Sequence, residues 1–541
     1  MWFSGIRTGF LLDFFGDSRY NYPMKGRRYA MEKKKKLHIG TSVPRFVFVG
    51  LSVLFQVGWL VLTVLILNEH YAWMELITRV LSVIVILQMN SKHTNAAFKM
   101  PWIMLIMAFP VMGLSLYLML VAFGDMGNTG KRMKAVRTDI HRMLAESGCA
   151  PEAVQKLSVP GAGISGYLQK HAGYPVYCNT SVRYFAQAAD AFSSMKEALE
   201  KAESFIFMEY FIVSPDSSFE EICDILVRKA RQGVDVRLMY DDMGSVRVNL
   251  LFAKKLKDAG VHCMVFNPAV PVLNLFMNHR DHRKITAIDG KVGYTGGYNL
   301  SDEYFDRTNP YGKWKDTGLR LEGEAVRSLT AAFLEMWNAC SREKESAERY
   351  LNVFHSVPSA GFVQPYADDP LGQERVAENV YLNLIYSARE SLYITTPYLI
   401  ITDEMTNALA MAAKRGVDVR IITPGIPDKK TVYAVTRSYY AGLARQGVRI
   451  FEYTPGFCHA KQMLCDGKTA SIGTSNLDYR SLYLHFENNV LLYDGEAAAQ
   501  MAADFADIFP QCREVTDIYR SGRSATLRLK QYILRLFAPL M

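Results

Sequence analysis

The chain has 541 residues, a formal net charge of +9 and 50% hydrophobic residues, which exclude a disordered protein and a small disulfide scaffold. The charge is local. Residues 1–45 hold 10 Lys and Arg against 3 Asp and Glu, a net of +7, so only +2 remains for everything beyond them. So weak a balance gives no wide basic surface for nucleic acid.

In chain order, 1–45 reads as a basic cytoplasmic tail, with Lys33 to Lys36 as an orientation and anionic-lipid signal ahead of a membrane region at 46–123. Within it, 46–67 is a 22-residue run with only Gln56 strongly polar, and 101–123 is 23 residues without a charge. Each exceeds the roughly 20 residues needed to span a bilayer. The stretch 71–89 contains Glu75 and Arg79 and is open between a third span, a re-entrant piece and an interfacial helix. Lys131, Arg132, Lys134 and Arg137 form a second basic cluster, so both flanks are expected in the cytoplasm and two crossings are favoured. The expected location is the cell (plasma) membrane, multi-pass, with the catalytic part cytoplasmic. Residues 124–166 follow as a charged helical connector and a Gly-rich linker at Gly161 to Gly166.

The rest of the chain is duplicated. The pattern His-x-Lys-x4-Asp-x6-Gly-x2-Asn occurs as His282, Lys284, Asp289, Gly296, Asn299 and again, 177 positions later, as His459, Lys461, Asp466, Gly473, Asn476. Each copy follows a matching passage, Gly233-Val-Asp-Val-Arg237 and Gly416-Val-Asp-Val-Arg420, then Gly260-Val and Gly447-Val. An amphipathic run closed by Gly and followed by a β-branched run predicts helix, C-cap and strand. The fold class is therefore α/β, with two half-domains at 167–356 and 357–515 and a basic amphipathic segment at 516–541. The first half has 22 residues from its second Gly to the motif His and the other has 12, an insertion of ten around Phe266 to Asn278 that is a candidate substrate lip.

His and Lys two apart share one face of a strand, so imidazole and ammonium point together. The motif Asp stands five residues beyond Lys, opposite in parity and about 16 Å along the strand. Although Asp289 and Asp466 belong to the candidate catalytic set by motif, they read as turn and framework residues. Gly296 and Gly473 are expected to let an anion approach the backbone, with the Asn299 and Asn476 amides donating to it. Two such sites brought together suit a phosphodiester. One neutral His attacks phosphorus, the other, protonated, serves the leaving alkoxide, and the Lys and Asn groups neutralise the oxygens. Side chains supply the cations, so neither metal nor cofactor is required. Each imidazole needs a carboxylate to fix its tautomer; Asp316 and Glu487 lie at similar distances downstream of the two motifs. The eight Cys form no CxxC pair and read as reduced thiols.

These residues resemble the phospholipase D superfamily, whose signature is the duplicated His-Lys-Asp motif, and within it the bacterial cardiolipin synthases. Glu209-Tyr-Phe-Ile, Asn278-His-Arg-Asp-His282-Arg-Lys284, Thr396-Pro397-Tyr398 and Asn476-Leu-Asp-Tyr-Arg480-Ser481 carry the resemblance, and Asp368-Asp369-Pro370 departs from the family's Ser-Gly-Pro. Residues 1–30 lie outside the pattern, which makes Met31 an alternative start. The resemblance implies that two phosphatidylglycerols are joined with release of glycerol through a phosphatidyl-histidine intermediate, with phosphatidylglycerol and anionic membrane lipid as partners and no nucleic acid. A membrane-bound phospholipase D-type hydrolase or another phosphatidyltransferase is the alternative, since the phosphoenzyme is common to all of them. A nuclease needs no membrane spans, and a catalytically dead scaffold does not need two intact motifs.

Overall fold

The computed structural model describes residues 42–541 except 71, 93, 124–126, 155–156, 271–274, 342–344, 522–533, 536–537 and 541. Residues 1–41 of the basic tail and most of the 516–541 segment thus lie outside the described residues. At the C-terminal end, Arg535 sits 4.2 Å above the Tyr439 ring and Ala538 is buried.

Two sheets carry the catalytic part, and they repeat one strand order. The seven-stranded sheet runs Thr180–Phe185, Gly318–Gly323, Val292–Gly296, Lys284–Ile288, Phe205–Tyr210, Asp235–Asp241, His262–Phe266. The other runs Phe362–Asp368, His485–Tyr493, Thr469–Gly473, Gln462–Cys465, Ser391–Thr395, Asp418–Pro424, Arg449–Tyr453, with Cys512–Glu514 added at its edge. Both mix parallel and antiparallel pairs. The helix, Gly and strand grammar is visible at Ser217–Arg231 and Asp403–Lys414, capped by the side chains of Asp216 and Thr402. Gly233, Gly260, Gly416 and Gly447 follow their helices with φ between 91° and 98°, the left-handed region that glycine enters without a Cβ penalty.

Two short parallel pairings lock the halves together. Arg280–Asp281 pairs with His485 and Phe486, and Lys313–Lys315 pairs with Gly456–Cys458. In each, the segment leading into one half's motif histidine runs beside the segment leading into the other half's carboxylate.

The apolar N-terminal region forms four helices: Val43–His70, Ala72–Ser91, Ala96–Ala108 and Pro110–Phe123. Among the described residues no helix is long and apolar enough to cross a membrane. The expectation for 101–123 needs correction, because the uncharged run is not one helix. It breaks at Phe109, whose φ of −137° and ψ of 76° are not helical, since the following Pro110 disfavours the α region there and lacks an N–H. The halves fold back as a hairpin, which brings the Trp102 and Tyr117 rings to 5.6 Å. The linker expectation also fails. Pro160 to Gly166 lies in the helix Val159–Tyr167, N-capped by Ser158, with Ile164 and Leu168 buried; Pro in the first turn and an apolar face outweigh the glycines.

This region docks on the catalytic part at defined points. Ser42 Oγ donates to the Val248 carbonyl at 2.9 Å, and Arg45 pairs with Asp242. Asn95 donates to the Tyr483 hydroxyl at 3.1 Å, and Phe98 packs on Tyr479 and Tyr483. Asp368, at the position that departs from the family phrase, accepts from the Val376 and Ala377 amides and so caps the helix Val376–Ser387.

Candidate active site

His282, Lys284, His459 and Lys461 are all buried, and the two parallel pairings explain how they meet. The His282 amide donates to the Phe486 carbonyl at 2.9 Å, which sets Glu487 beside the imidazole, and the His459 amide donates to the Lys315 carbonyl at 2.7 Å, which does the same for Asp316. The carboxylates are therefore exchanged. Glu487 of the second half lies 2.9 Å from His282 Nδ1, and Asp316 of the first half lies 2.6 Å from His459 Nδ1. With Nδ1 held as the proton-bearing nitrogen, Nε2 is the free nitrogen of each ring. Phe211 packs on His282 at 4.9 Å, and Tyr304 and Trp314 each pack on His459 at 5.3 Å.

The halves grip their carboxylates differently. A Cβ on Gly297 would stand 2.1 Å from Asp316 Oδ1, so the short carboxylate packs directly against glycine. The equivalent residue of the second half is Thr474, whose hydroxyl donates to the longer Glu487 at 2.5 Å. Sequence reasoning missed Thr474, and it missed Asn488, which accepts from the Lys284 amide at 3.0 Å and donates to Thr295 at 2.7 Å. Both follow from reading the second half's residues against the first's.

Lys284 Nζ donates to the His282 carbonyl at 2.6 Å; Lys461 Nζ donates to the His459 carbonyl and lies 2.8 Å from His459 Nδ1. Burial lowers Lys284 to about 7 and Lys461 to about 8. Burial, then Lys461, lowers His459 to about 4, while burial, then Lys284, holds His282 well below the usual imidazole range. Burial alone would raise Asp316, but His459 and Lys461 keep it below the ordinary carboxylate value; Glu487 is pushed well above it by burial. Burial thus biases both imidazoles toward the neutral form. The groups that titrate near neutrality are the lysines.

Asp289 and Asp466 lie outside the pocket. Both have positive φ, 53° and 51°. Asp289 accepts from the amides of Glu203, Ser204 and Phe205 at 2.7 to 2.9 Å, and Asp466 accepts from those of Arg389, Glu390 and Ser391. Each ties the motif hairpin to the start of its neighbouring strand. The motif glycines have another reason than the expected anion approach. A Cβ on Gly296 would meet the Thr317 carbonyl at 2.3 Å, and one on Gly473 would meet Asn489 Oδ1 at 2.3 Å, so both serve close strand packing. The Asn amides are partly engaged: Asn299 donates to the Tyr304 hydroxyl at 2.8 Å and Asn476 to Asp478 at 3.2 Å.

Residues 195–337 and 381–509 match the family described as "Cardiolipin synthase, PLD-like domain". The chain belongs to that family. Its membership makes it a phosphatidyltransferase enzyme. Among relatives of this family member, the "Cardiolipin synthase" of Halalkalibacterium halodurans is 34% identical over 84% of this chain and 91% of its own. The "Cardiolipin synthase 2" of Bacillus cereus is 39% identical over 67% and 71%, and an uncharacterised protein of Streptococcus mutans is 44% identical over 70% and 82%. The crystal structure of the Haemophilus influenzae phosphatidylserine synthase superposes with a TM-score of 0.51 at 15% identity, covering 66% of this chain and 93% of that one. That likeness concerns the fold alone.

Proposed function

We propose that this enzyme makes cardiolipin from two phosphatidylglycerols, and that His282, Lys284, His459 and Lys461 perform the transfer. The observation that supports the reading is the exchanged pairing of His282 with Glu487 and His459 with Asp316; on this reading two Nε2 atoms and two buried lysines face one phosphodiester. In the first step Nε2 of one histidine attacks phosphorus, the bond from phosphorus to the glycerol oxygen breaks, and the departing glycerol takes a proton from the other imidazole. The anionic phosphate favours charging that imidazole as it enters the pocket. In the second step the terminal hydroxyl of another phosphatidylglycerol gives its proton to the same imidazole and displaces the histidine. The lysines balance charge on the phosphoryl oxygens, where hydrogen-bond donors in a dry site are worth most.

The substrate is a lipid, and the helices of 43–123 carry outward apolar side chains, among them Phe48, Phe55, Trp59, Ile84 and Met107, each at least half exposed. On this reading they lie in the bilayer, with the hairpin Ala96–Phe123 re-entering from one side and both basic flanks on the cytoplasmic face. The purified full chain supplied with phosphatidylglycerol alone tests the function. Cardiolipin and glycerol in equal amounts are expected by mass spectrometry; phosphatidic acid as the dominant product means a hydrolase.

A further inference from the structure

The residue two before each orienting carboxylate differs between the halves. Before Asp316 it is Trp314, whose ring packs 5.3 Å from that of His459; before Glu487 it is His485, whose ring lies 5.4 Å from that of His282. The pseudo-dyad thus sets a packing aromatic at one site and an extra imidazole at the other, so the transfer chemistry does not call for a nitrogen there. His485 is 8% exposed, and among the described residues neither of its ring nitrogens has a hydrogen-bond partner. A buried imidazole with two idle nitrogens is destabilising unless something binds it. His485 Nδ1 lies 3.7 Å from Glu487 Oε1, the carboxylate that also faces His282 Nδ1. One ligand atom from each of the three residues falls within 4.8 Å of the others.

We propose that His282, His485 and Glu487 form a binding site for a divalent transition metal of the zinc type, and that its occupation reversibly shuts the pocket. Two imidazoles and one carboxylate, with a fourth position left open, are a donor set that Zn²⁺ takes readily. Binding shifts a proton within the ring: the Nδ1–H that faces Glu487 moves to Nε2, and the metal takes the freed Nδ1 lone pair, the carboxylate and a lone pair of His485. The single N–H of the neutral His282 then sits on Nε2. That nitrogen loses the lone pair with which it attacks phosphorus or accepts a proton, so a bound ion inactivates the ring without touching the substrate. The lysine ammoniums nearby oppose a dication and keep the affinity below that of a closed structural zinc site.

The test uses the full chain in detergent micelles, with Zn²⁺ as the probe and no substrate. Equilibrium dialysis should find a bound zinc that depends on His485, with His485→Asn or His485→Gln weakening it at least about tenfold. Co²⁺ in its place should show no thiolate charge-transfer band, which separates this site from the free cysteines. Zn²⁺ should inhibit turnover reversibly, and the concentration needed should rise by the same factor in both variants while metal-free turnover stays largely intact. Binding or inhibition unchanged in the variants, or a thiolate spectrum, overturns the site. Zinc held through His485 with turnover undiminished overturns the shut-off, and places the fault in the reacting role given to His282 rather than in the metal site.

Discussion

Replacing Asp316 by Asn removes one charge and no volume from the pocket, and the structure says which way the new amide must turn. Asp316 Oδ1 accepts the Thr317 amide at 2.9 Å and Oδ2 faces His459 Nδ1 at 2.6 Å. In the variant the amide oxygen keeps the Thr317 bond, because reversing it would set two donors together. The NH₂ group then points at His459 Nδ1, which must become an acceptor, and the ring proton moves to Nε2. His459 is left in the wrong tautomer at the nitrogen that faces phosphorus. The corresponding Asp→Asn change in a serine-protease triad costs about 10⁴-fold in kcat, so a loss on the order of 10³–10⁴ is expected here, about 4 to 5.5 kcal/mol of barrier. Phosphatidylglycerol turnover by mass spectrometry, with thermal unfolding to verify that the variant is folded, measures it. A folded Asp316→Asn enzyme within about tenfold of the parent would refute tautomer control by this carboxylate.

His282→Ala and His459→Ala should each abolish turnover, since nucleophile and acid act as one unit; more than a few per cent residual activity in either, measured by cardiolipin formation, speaks against a shared site. Turnover should fall as pH rises through about 7 to 8, because burial lowers Lys284 to about 7 and Lys461 to about 8 and the charged ammonium is the form present below those values; a rate still climbing above this window contradicts their role. Asp289→Ala leaves three backbone amides without an acceptor and should cost on the order of 2–4 kcal/mol of stability, read by denaturant unfolding, with activity falling in step. Chelator should leave turnover intact, as the lysines and imidazoles supply the charge; complete loss restored by added metal argues otherwise.

The sequence and the structure agree where the cause is local. A His and a Lys two apart share a face, and an Asp five residues beyond them falls in the turn, as the 53° and 51° φ values of Asp289 and Asp466 show. What could not be read is long-range. Which carboxylate serves which histidine depends on short parallel pairings of Arg280–Asp281 with His485 and Phe486, and of Lys313–Lys315 with Gly456–Cys458, and similar spacing downstream of each motif says nothing about the partner. Gly296 and Gly473 invite an anion-cradle reading because a missing side chain looks the same whether it admits a phosphate or a neighbouring strand. At 101–123 the absence of charge hid the effect of one residue, Pro110, which turns a span-length run into a hairpin. At Pro160 to Gly166 the opposite error holds, as three glycines suggest a linker although Ser158 and Pro160 supply a helix start.

The central claim is that transfer proceeds by two successive displacements at phosphorus, one by a histidine of this pocket and one by the acceptor hydroxyl. A phosphatidylglycerol made chiral at phosphorus, as a phosphorothioate of one configuration, tests it most directly. Two in-line displacements each invert, so the account predicts that the phosphorus derived from the donor appears in cardiolipin with its configuration retained. Inversion would mean that the acceptor hydroxyl attacks the donor lipid directly, and would contradict the covalent histidine on which the account rests.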